Sequence, residues 1–396
     1  MSRPGQFWIS AILILAIVVV EVATDIYIPT LSYLTQFFKT TEEAVNYSLS
    51  ACLLGFSVAG PIFGPLSDSF GRKKLIILGL ILFTLASFGC SSSQSIEGLI
   101  AWRFLQGMGT AGPAVLGWAI LKDLYEGREA AHAMTTVGMA MTLSPAIAPL
   151  LGGYIAINFD WTWIFVIVGS VGAISAVSSF VALPETLHHD DRLKFSIKGL
   201  FATYSEILKT PGYILPNLID ALTYGCLWSY LSATTFFFVN RLGFTMIEYA
   251  YFDAVLLIFY VIGSLYTRRL LKTTPIENAL KKGIMLCILG SFALLFVSIF
   301  FSENAFIITA AMTVHSFGMA LVFPNAATLA LEATPDNLGS GSAMLSTLQC
   351  LTGGIMIIIG GYLYMTNIIW VSVMIVIASL LAYWFFQKLH LSKKLA

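Results

Sequence analysis

Two acids four residues apart, Glu21 and Asp25, stand inside an apolar stretch near the N-terminus. That spacing puts both carboxyls on one helical face. Two carboxylates so close cannot both ionise cheaply in a low dielectric, so one is expected to hold a proton near physiological pH, the property a proton carrier needs. Glu21 also fits a simpler role, packing in a hydrated cavity.

A second ionisable residue at membrane depth is Arg103, within Arg103-Phe104-Leu105-Gln106-Gly107-Met108-Gly109. A guanidinium in hydrocarbon is costly unless paired or hydrated. Arg103 lies near the start of the fourth apolar run and Asp25 late in the first, so antiparallel packing brings them to comparable depth. The mechanism this permits is competition, in which proton and substrate each alter the carboxylate's charge and exclude one another. The alternative is an arginine snorkelling to the outer interface.

Further groups are more ambiguous. Asp220 is a second acid within an apolar run, able to tune substrate charge preference, to pair locally or to sit hydrated near the inner side. His315 suits either a satisfied buried histidine or a proton relay. Asp253, Glu248 and Glu332 lie near run ends and read as interfacial. Tyr224, Trp228, Tyr230 and Phe236 to Phe238 line a cavity or face lipid. Pro145, Pro149, Gly152 and Gly153 give the fifth run a capacity to bend, or simply small-residue packing.

The elements that must position these groups are transmembrane helices. The 396 residues are 58% hydrophobic and 11% charged, against about 25% charged in a soluble domain. Apolar runs recur at roughly 7–36, 44–65, 75–94, 97–121, 131–157, 161–183, 212–237, 248–267, 283–301, 305–331, 338–363 and 366–387. The first is long enough to be broken at Pro29, and it reads as a retained helix rather than a signal peptide. A polar connection from His188 to Pro211, holding Arg192, Lys194, Lys198 and Lys209, separates two sets of six. The expectation is an all-α polytopic membrane fold of twelve helices, with residues 1–187 as one half, 188–211 as a cytoplasmic linker and 212–396 as the other half.

Charge location sets the orientation. With the N-terminus inside, eighteen of the 21 basic residues fall on the cytoplasmic side, Lys39 and Arg241 fall outside, and Arg103 lies within a run. Both termini are therefore expected in the cytoplasm. Acidic and basic residues balance at 21 each, leaving no excess to hold nucleic acid. The five cysteines lie in apolar runs without paired spacing and read as free thiols.

The halves also echo one another. Leu53-Leu54 and Gly60 recur as Leu256-Leu257 and Gly263; Gly107-Met108 and Pro113 as Gly318-Met319 and Pro324; Ala133-Met134 and Gly152-Gly153-Tyr154 as Ala343-Met344 and Gly360-Gly361-Tyr362. Three collinear matches point to a duplication, hence to two pseudo-symmetric halves.

The most specific segment is Gly64-Pro65-Leu66-Ser67-Asp68-Ser69-Phe70-Gly71-Arg72-Lys73-Lys74, between the second and third runs. Gly64 is expected to admit a neighbouring helix, Gly71 to take a positive φ, and Asp68 to pair with a basic or helix-end partner. This segment resembles the signature loop of the major facilitator superfamily, and Arg103 to Gly109 resembles that family's fourth-helix motif. The family reading implies a latch built on Gly64, Asp68, Gly71, Arg72 and Lys73. Asp25-x-Tyr27-x-Pro29, Lys122-Asp123-Leu124-Tyr125, Gly127-Arg128-Glu129-Ala130, Leu183-Pro184-Glu185-Thr186-Leu187 and Pro324-Asn325-Ala326 resemble its bicyclomycin- and chloramphenicol-resistance-type branch of drug:proton antiporters. Exporters of the wider class usually show Gly-Pro in the fifth helix, where this chain has Ser144-Pro145.

The resemblance implies proton-driven export of a drug or metabolite from a central cavity by alternating access. Asp25 and Arg103 would couple protons, with Glu21 assisting; Asp220 is no part of that branch signature and is a further candidate only as an acid within an apolar run. No cofactor, metal or catalytic residue is implied, and the protein is expected to act as a monomer in the inner membrane. Proton-symport uptake of a sugar or organic acid, a non-transporting sensor, and a membrane-embedded enzyme are the rival readings. The last lacks any Ser/His, paired-Asp or metal constellation at membrane depth.

Overall fold

A computed structural model describes residues 3–125, 127–187 and 196–395. The expected linker residues Arg192 and Lys194 lie outside them, as do the side chains of Arg128 and Pro145. Every regular element among the described residues is helical. This follows from the solvent: in lipid each backbone N–H and C=O must be satisfied within the protein, and a helix does so within its own segment.

Fourteen helices follow in chain order. They are α1 (Arg3–Asp25), α2 (Leu31–Phe37), α3 (Glu42–Phe70), α4 (Arg72–Ser91), α5 (Ile96–Leu124), α6 (Gly127–Asn158), α7 (Trp161–Ala182), α8 (Ile197–Lys209), α9 (Pro211–Phe236), α10 (Met246–Leu270), α11 (Ile276–Phe300), α12 (Ala305–Glu332), α13 (Leu338–Thr366) and α14 (Ile368–Leu395). Ten helices, the first of them α1 continued through α2, are long and apolar enough to cross a membrane. The other two expected runs fall on α6 and α9. α9 is long but interrupted by polar residues, among them the buried Asn217, Asp220, Ser229, Ser232, Thr234 and Thr235.

Local chemistry sets several helix starts. Ser95, Asp160 and Asn304 accept hydrogen bonds from Gly98, Thr162 and Ile307 backbone N–H groups, and Thr245 with Glu248 forms a capping box on α10. The polar connection is not all loop, because α8 occupies its second part. Tyr204 and Ile207 of α8 are buried while Phe201 is exposed, an amphipathic pattern that a short helix beside a membrane adopts.

The chain forms two compact units, Met1–Thr30 with Ala51–Ala202, and Leu31–Ser50 with Thr203–Ala396. Inside the first, α4 and α5 approach through glycines: a Cβ on Gly79 would lie 2.9 Å from the Gly112 Cα. Inside the second, α11 and α12 do the same, a Cβ on Gly283 lying 3.0 Å from the Gly318 carbonyl. The duplication extends to a second contact. Gly152 of α6 abuts Ile26, and Gly360 of α13 abuts Ser229 of α9. Ile26 and Ser229 are 203 residues apart, the offset that also relates Leu53 to Leu256.

The second unit owns α2 and the start of α3 through specific contacts. Asn240 Nδ2 donates to Glu42 Oε1 at 2.7 Å, a Cβ on Gly361 would lie 2.8 Å from Asn46 Nδ2, and Arg241 stands 5.1 Å over the Tyr364 ring. Cys52, Cys90, Cys226 and Cys287 are buried and Cys350 is partly buried, all as free thiols.

Candidate functional site

The first apolar run breaks where chemistry gathers. α1 ends at Asp25, Ile26 and Tyr27 form a turn, and Ile28–Thr30 make one 3₁₀ turn before α2. Pro29 supplies no N–H, and Thr30 ties the turn by donating through Oγ1 to the Tyr27 carbonyl at 2.7 Å.

Arg103 is wholly buried against this break. Its Nη1 donates to Gln106 Oε1 at 2.6 Å and more weakly to the Ala23 carbonyl at 3.4 Å. Its guanidinium carbon stands 4.5 Å from the Tyr27 ring centroid and 5.8 Å from that of Phe165, and those two rings are 5.4 Å apart. Such cation–π contacts are worth about 2 kcal/mol when desolvated. Gln106 Nε2 then donates to Ser87 Oγ at 2.8 Å, and Ser87 donates to the Phe83 carbonyl at 2.7 Å. This is not an arginine snorkelling outward: it is fixed from α1, α4, α5 and α7.

Ala23 and Tyr27, both touched by the guanidinium, bracket Asp25 two residues away on either side. Asp25 and Glu21 are half-buried and stand one turn apart on α1, so both are partly accessible where Arg103 is not. A fixed cation behind two reachable carboxyls is an arrangement that can exchange a proton for another cation or for a polar group.

The helix bearing the expected bend packs on the same break. A Cβ on Gly152 would overlap the Ile26 carbonyl oxygen, and Gly153 and Pro149 are buried beside it. Gly152→Val is therefore expected to push α6 off the α1 break. It should abolish transport while the protein still inserts, at a stability cost of about 1–3 kcal/mol. Transport in vesicles together with a thermal melt checks this, and an active valine variant would contradict it.

The latch segment has a different geometry from the one expected at one residue. At Gly64 a Cβ would meet nothing within 4 Å among the described residues, so no close helix approach is seen there. Gly71 does take φ 101° and caps α4 without a side chain to offer. The missing cap comes from 113 residues away, where Glu185 Oε1 accepts the Arg72 backbone N–H at 2.9 Å. The Arg72 side chain lies 3.7 Å from Asp68 and 2.8 Å from Asp123, and Thr186 Oγ1 donates to Asp123 at 3.0 Å. The Arg72 Nε–H is not aimed at the Asp123 oxygen, so that close pair is Coulombic more than hydrogen-bonded. Lys73 lies 5.8 Å over the Phe180 ring.

Three motifs distant in sequence thus converge on Arg72, and the roles of Asp123 and Glu185 as its partners were not visible in their spacing. Half-exposed pairs of this kind contribute about 1 kcal/mol or less each. Arg72→Ala is expected to slow transport about fivefold with little change in melting temperature, and Asp123→Asn to add little on top of it. Loss of folding would contradict that reading.

In the second unit, Asp220 of α9 is wholly buried and accepts from Gln349 Nε2 at 2.6 Å, so it is not a hydrated residue. His315 is wholly buried with Nδ1 3.1 Å from the Cys287 carbonyl, as a structural histidine would be. Trp228, Tyr230, Phe236, Phe237 and Phe238 are buried within the protein and do not face lipid. Asp253, in the second turn of α10, is half-buried and within electrostatic reach of Tyr230 and Tyr249.

Comparison with known proteins adds an independent line. The family model described as Major Facilitator Superfamily matches residues 13–356. The chain is 24% identical to the bicyclomycin resistance protein homolog of Haemophilus influenzae, over 84% of this chain and 83% of that one. It is 26% identical to multidrug resistance protein D of Escherichia coli, over 90% and 89%. Among solved structures, a D-xylose-proton symporter superposes with a TM-score of 0.74 at 14% identity, covering 96% of this chain and 98% of its own. A bacterial homolog of the human lysosomal transporter Spinster, inward-facing and occupied, reaches 0.77 at 16% identity, covering 98% of each.

Proposed function

Because the chain belongs to the Major Facilitator Superfamily and is a multi-span membrane protein, we propose that it exports a small molecule, drug or metabolite, in exchange for protons. The observation that carries this is the buried Arg103 held against the α1 break through Ala23 and Tyr27, the residues that flank Asp25 in sequence. The relatives' names, resistance to bicyclomycin and multiple drugs, support the cargo class.

In this mechanism Asp25 carries the proton. Deprotonated, it faces the fixed guanidinium and a site able to receive cargo; protonated, it no longer attracts that cargo, and release follows. Glu21, one turn away on the same face, shares the proton or widens the range of charge accepted. The Arg103–Gln106–Ser87 chain holds the guanidinium in place against the α1 break. Gly152 and the α1 break form the pivot, and Arg72 with Asp68, Asp123 and Glu185 forms the latch.

The reading includes a monomer in the inner membrane with both termini cytoplasmic, and two six-helix halves, 1–187 and 212–396, that alternate access. The basic-residue distribution supports the orientation.

The test is an efflux and susceptibility screen of the expressed protein against chemically varied compounds, followed by flux of each hit in everted membrane vesicles under an imposed pH gradient. Proton-dependent accumulation inside everted vesicles is expected. Accumulation only in right-side-out vesicles would instead make the protein an importer, and no flux of any compound would leave a sensor.

A further inference from the structure

α9 holds an acid that the coupling scheme above leaves idle. Asp220 is wholly buried; its Oδ2 accepts from Gln349 Nε2 of α13, and its Oδ1 has no hydrogen-bond partner among the described residues. One turn earlier on α9, the wholly buried Asn217 donates through Nδ2 to the Tyr213 hydroxyl at 2.9 Å, which donates to the Gly341 carbonyl of α13 at 2.7 Å. Asn217 Oδ1 is a second buried oxygen without a partner among the described residues. Residues three apart share a helix face, so two orphaned acceptors belong to one face of α9.

Among the described residues, no Lys or Arg pairs with Asp220. The titratable groups within electrostatic reach are the hydroxyls of Tyr213 on α9 and Tyr260 on α10. From α13 comes only the neutral Gln349; on α12, His315 is bonded to the Cys287 carbonyl. α2 has only Tyr33 as an ionisable residue, and Tyr383 of α14 packs on the apolar cluster that contains Ile219 and Leu280. Asp220 forms no ion pair among the described residues.

A carboxylate in such a place is compensated by one amide donor alone, while removing an ion from water costs several kcal/mol or more. The neutral acid removes that charge, and its O–H provides the donor that a neighbouring acceptor lacks. Gln349 is partly exposed, so the single polar group covering the acid also faces the accessible side of α13. Moving α13 relative to α9 withdraws or restores that cover.

We propose that Asp220, covered by Gln349, is a second proton-binding site, housed within the C-terminal unit and loaded in this conformation. It rests on the proton-exchange reading above but uses none of the residues around Arg103. The ligand is the proton itself, which needs no cavity, and the site exchanges it when α13 shifts. The protein would then exchange two protons per cycle, one at Asp25 and one at Asp220.

The experiment is a pH-difference infrared titration of the full-length protein in lipid vesicles, following the carbonyl stretch of protonated carboxyl groups. It is run on the wild type, Asp220→Asn and Asp25→Asn, alongside cargo accumulation in everted vesicles. Asp220→Asn keeps an acceptor for Gln349. It is expected to remove one titrating acid band that Asp25→Asn retains, and to lower accumulation per pH unit from about a hundredfold to about tenfold, as losing one of two coupled protons requires. An unchanged band pattern in Asp220→Asn overturns the proposal, as does a lost band with undiminished accumulation, which would make Asp220 a static acid. Should that variant fail to insert, Gln349→Leu decides: the band must move in pH, and an unmoved band overturns the proposal. If Asp25→Asn leaves accumulation intact, the Asp25 assignment fails while the Asp220 band still judges this one.

Discussion

Asp25→Asn is expected to yield a folded, membrane-inserted protein whose cargo accumulation falls about tenfold per unit of imposed pH difference. Asparagine keeps the size of the side chain that ends α1, so the break, tied by Thr30 to Tyr27, should survive. What it loses is the ability to carry a proton. One proton exchanged per cargo at a gradient of one pH unit is worth about 1.4 kcal/mol, or tenfold accumulation. That factor should vanish in the variant, leaving at most the roughly tenfold that the proton at Asp220 supplies. The measurement is steady-state accumulation in everted vesicles for a compound found in the screen, with membrane abundance checked by immunoblot. A variant that accumulates as well as the parent would remove Asp25 from the coupling scheme. Asp25→Glu separates charge from geometry: it restores a titrating carboxyl and should recover part of the coupling.

How much of this was readable without coordinates differs from residue to residue. The helices were legible because lipid forces them: apolar runs of membrane-spanning length have only one way to satisfy their backbones. The approximate depth of Arg103 and Asp25 followed from the alternation of run direction. The stacking of Arg103 on Tyr27 and Phe165, and its bond to Gln106, did not, because the rotation of a helix about its axis is set by packing that no single run encodes. Gly71 was legible since a positive φ is a local property, whereas the close approach expected at Gly64 concerns a neighbour, and none lies within 4 Å among the described residues. Asp123 and Glu185 were visible as members of recurring motifs, yet their convergence on Arg72 is a tertiary fact. α8 is the opposite case. Leu200, Tyr204 and Ile207 recur at helical spacing, so the signal was present within a stretch whose charges made it read as a loop. α9 was legible as a run, but its many small polar residues hide the Asp220 arrangement until α13 is laid against it.

Arg103→Lys should lose most of the transport rate even though the charge is kept. The guanidinium is a planar group that does two things at once here. Its edge bonds Gln106 and the Ala23 carbonyl, while its face lies against Tyr27 and Phe165. An ammonium is a point charge that cannot stack and cannot bond in that plane. If the stacking, worth about 2 kcal/mol, is what holds the α1 break in its working geometry, its loss corresponds to a rate about thirtyfold lower. Membrane abundance should change little, because no uncompensated charge is created. Tyr27→Leu removes the nearer ring without touching the charge, so it should reproduce much of the same loss. The two changes delete one interaction from opposite ends, and the double variant should therefore be scarcely slower than either single one. Initial rates of cargo flux for the four proteins decide the matter. A double variant slower by the product of the two single effects would mean that Arg103 and Tyr27 act independently, and the break would then be held by the Gln106 and Ala23 contacts alone.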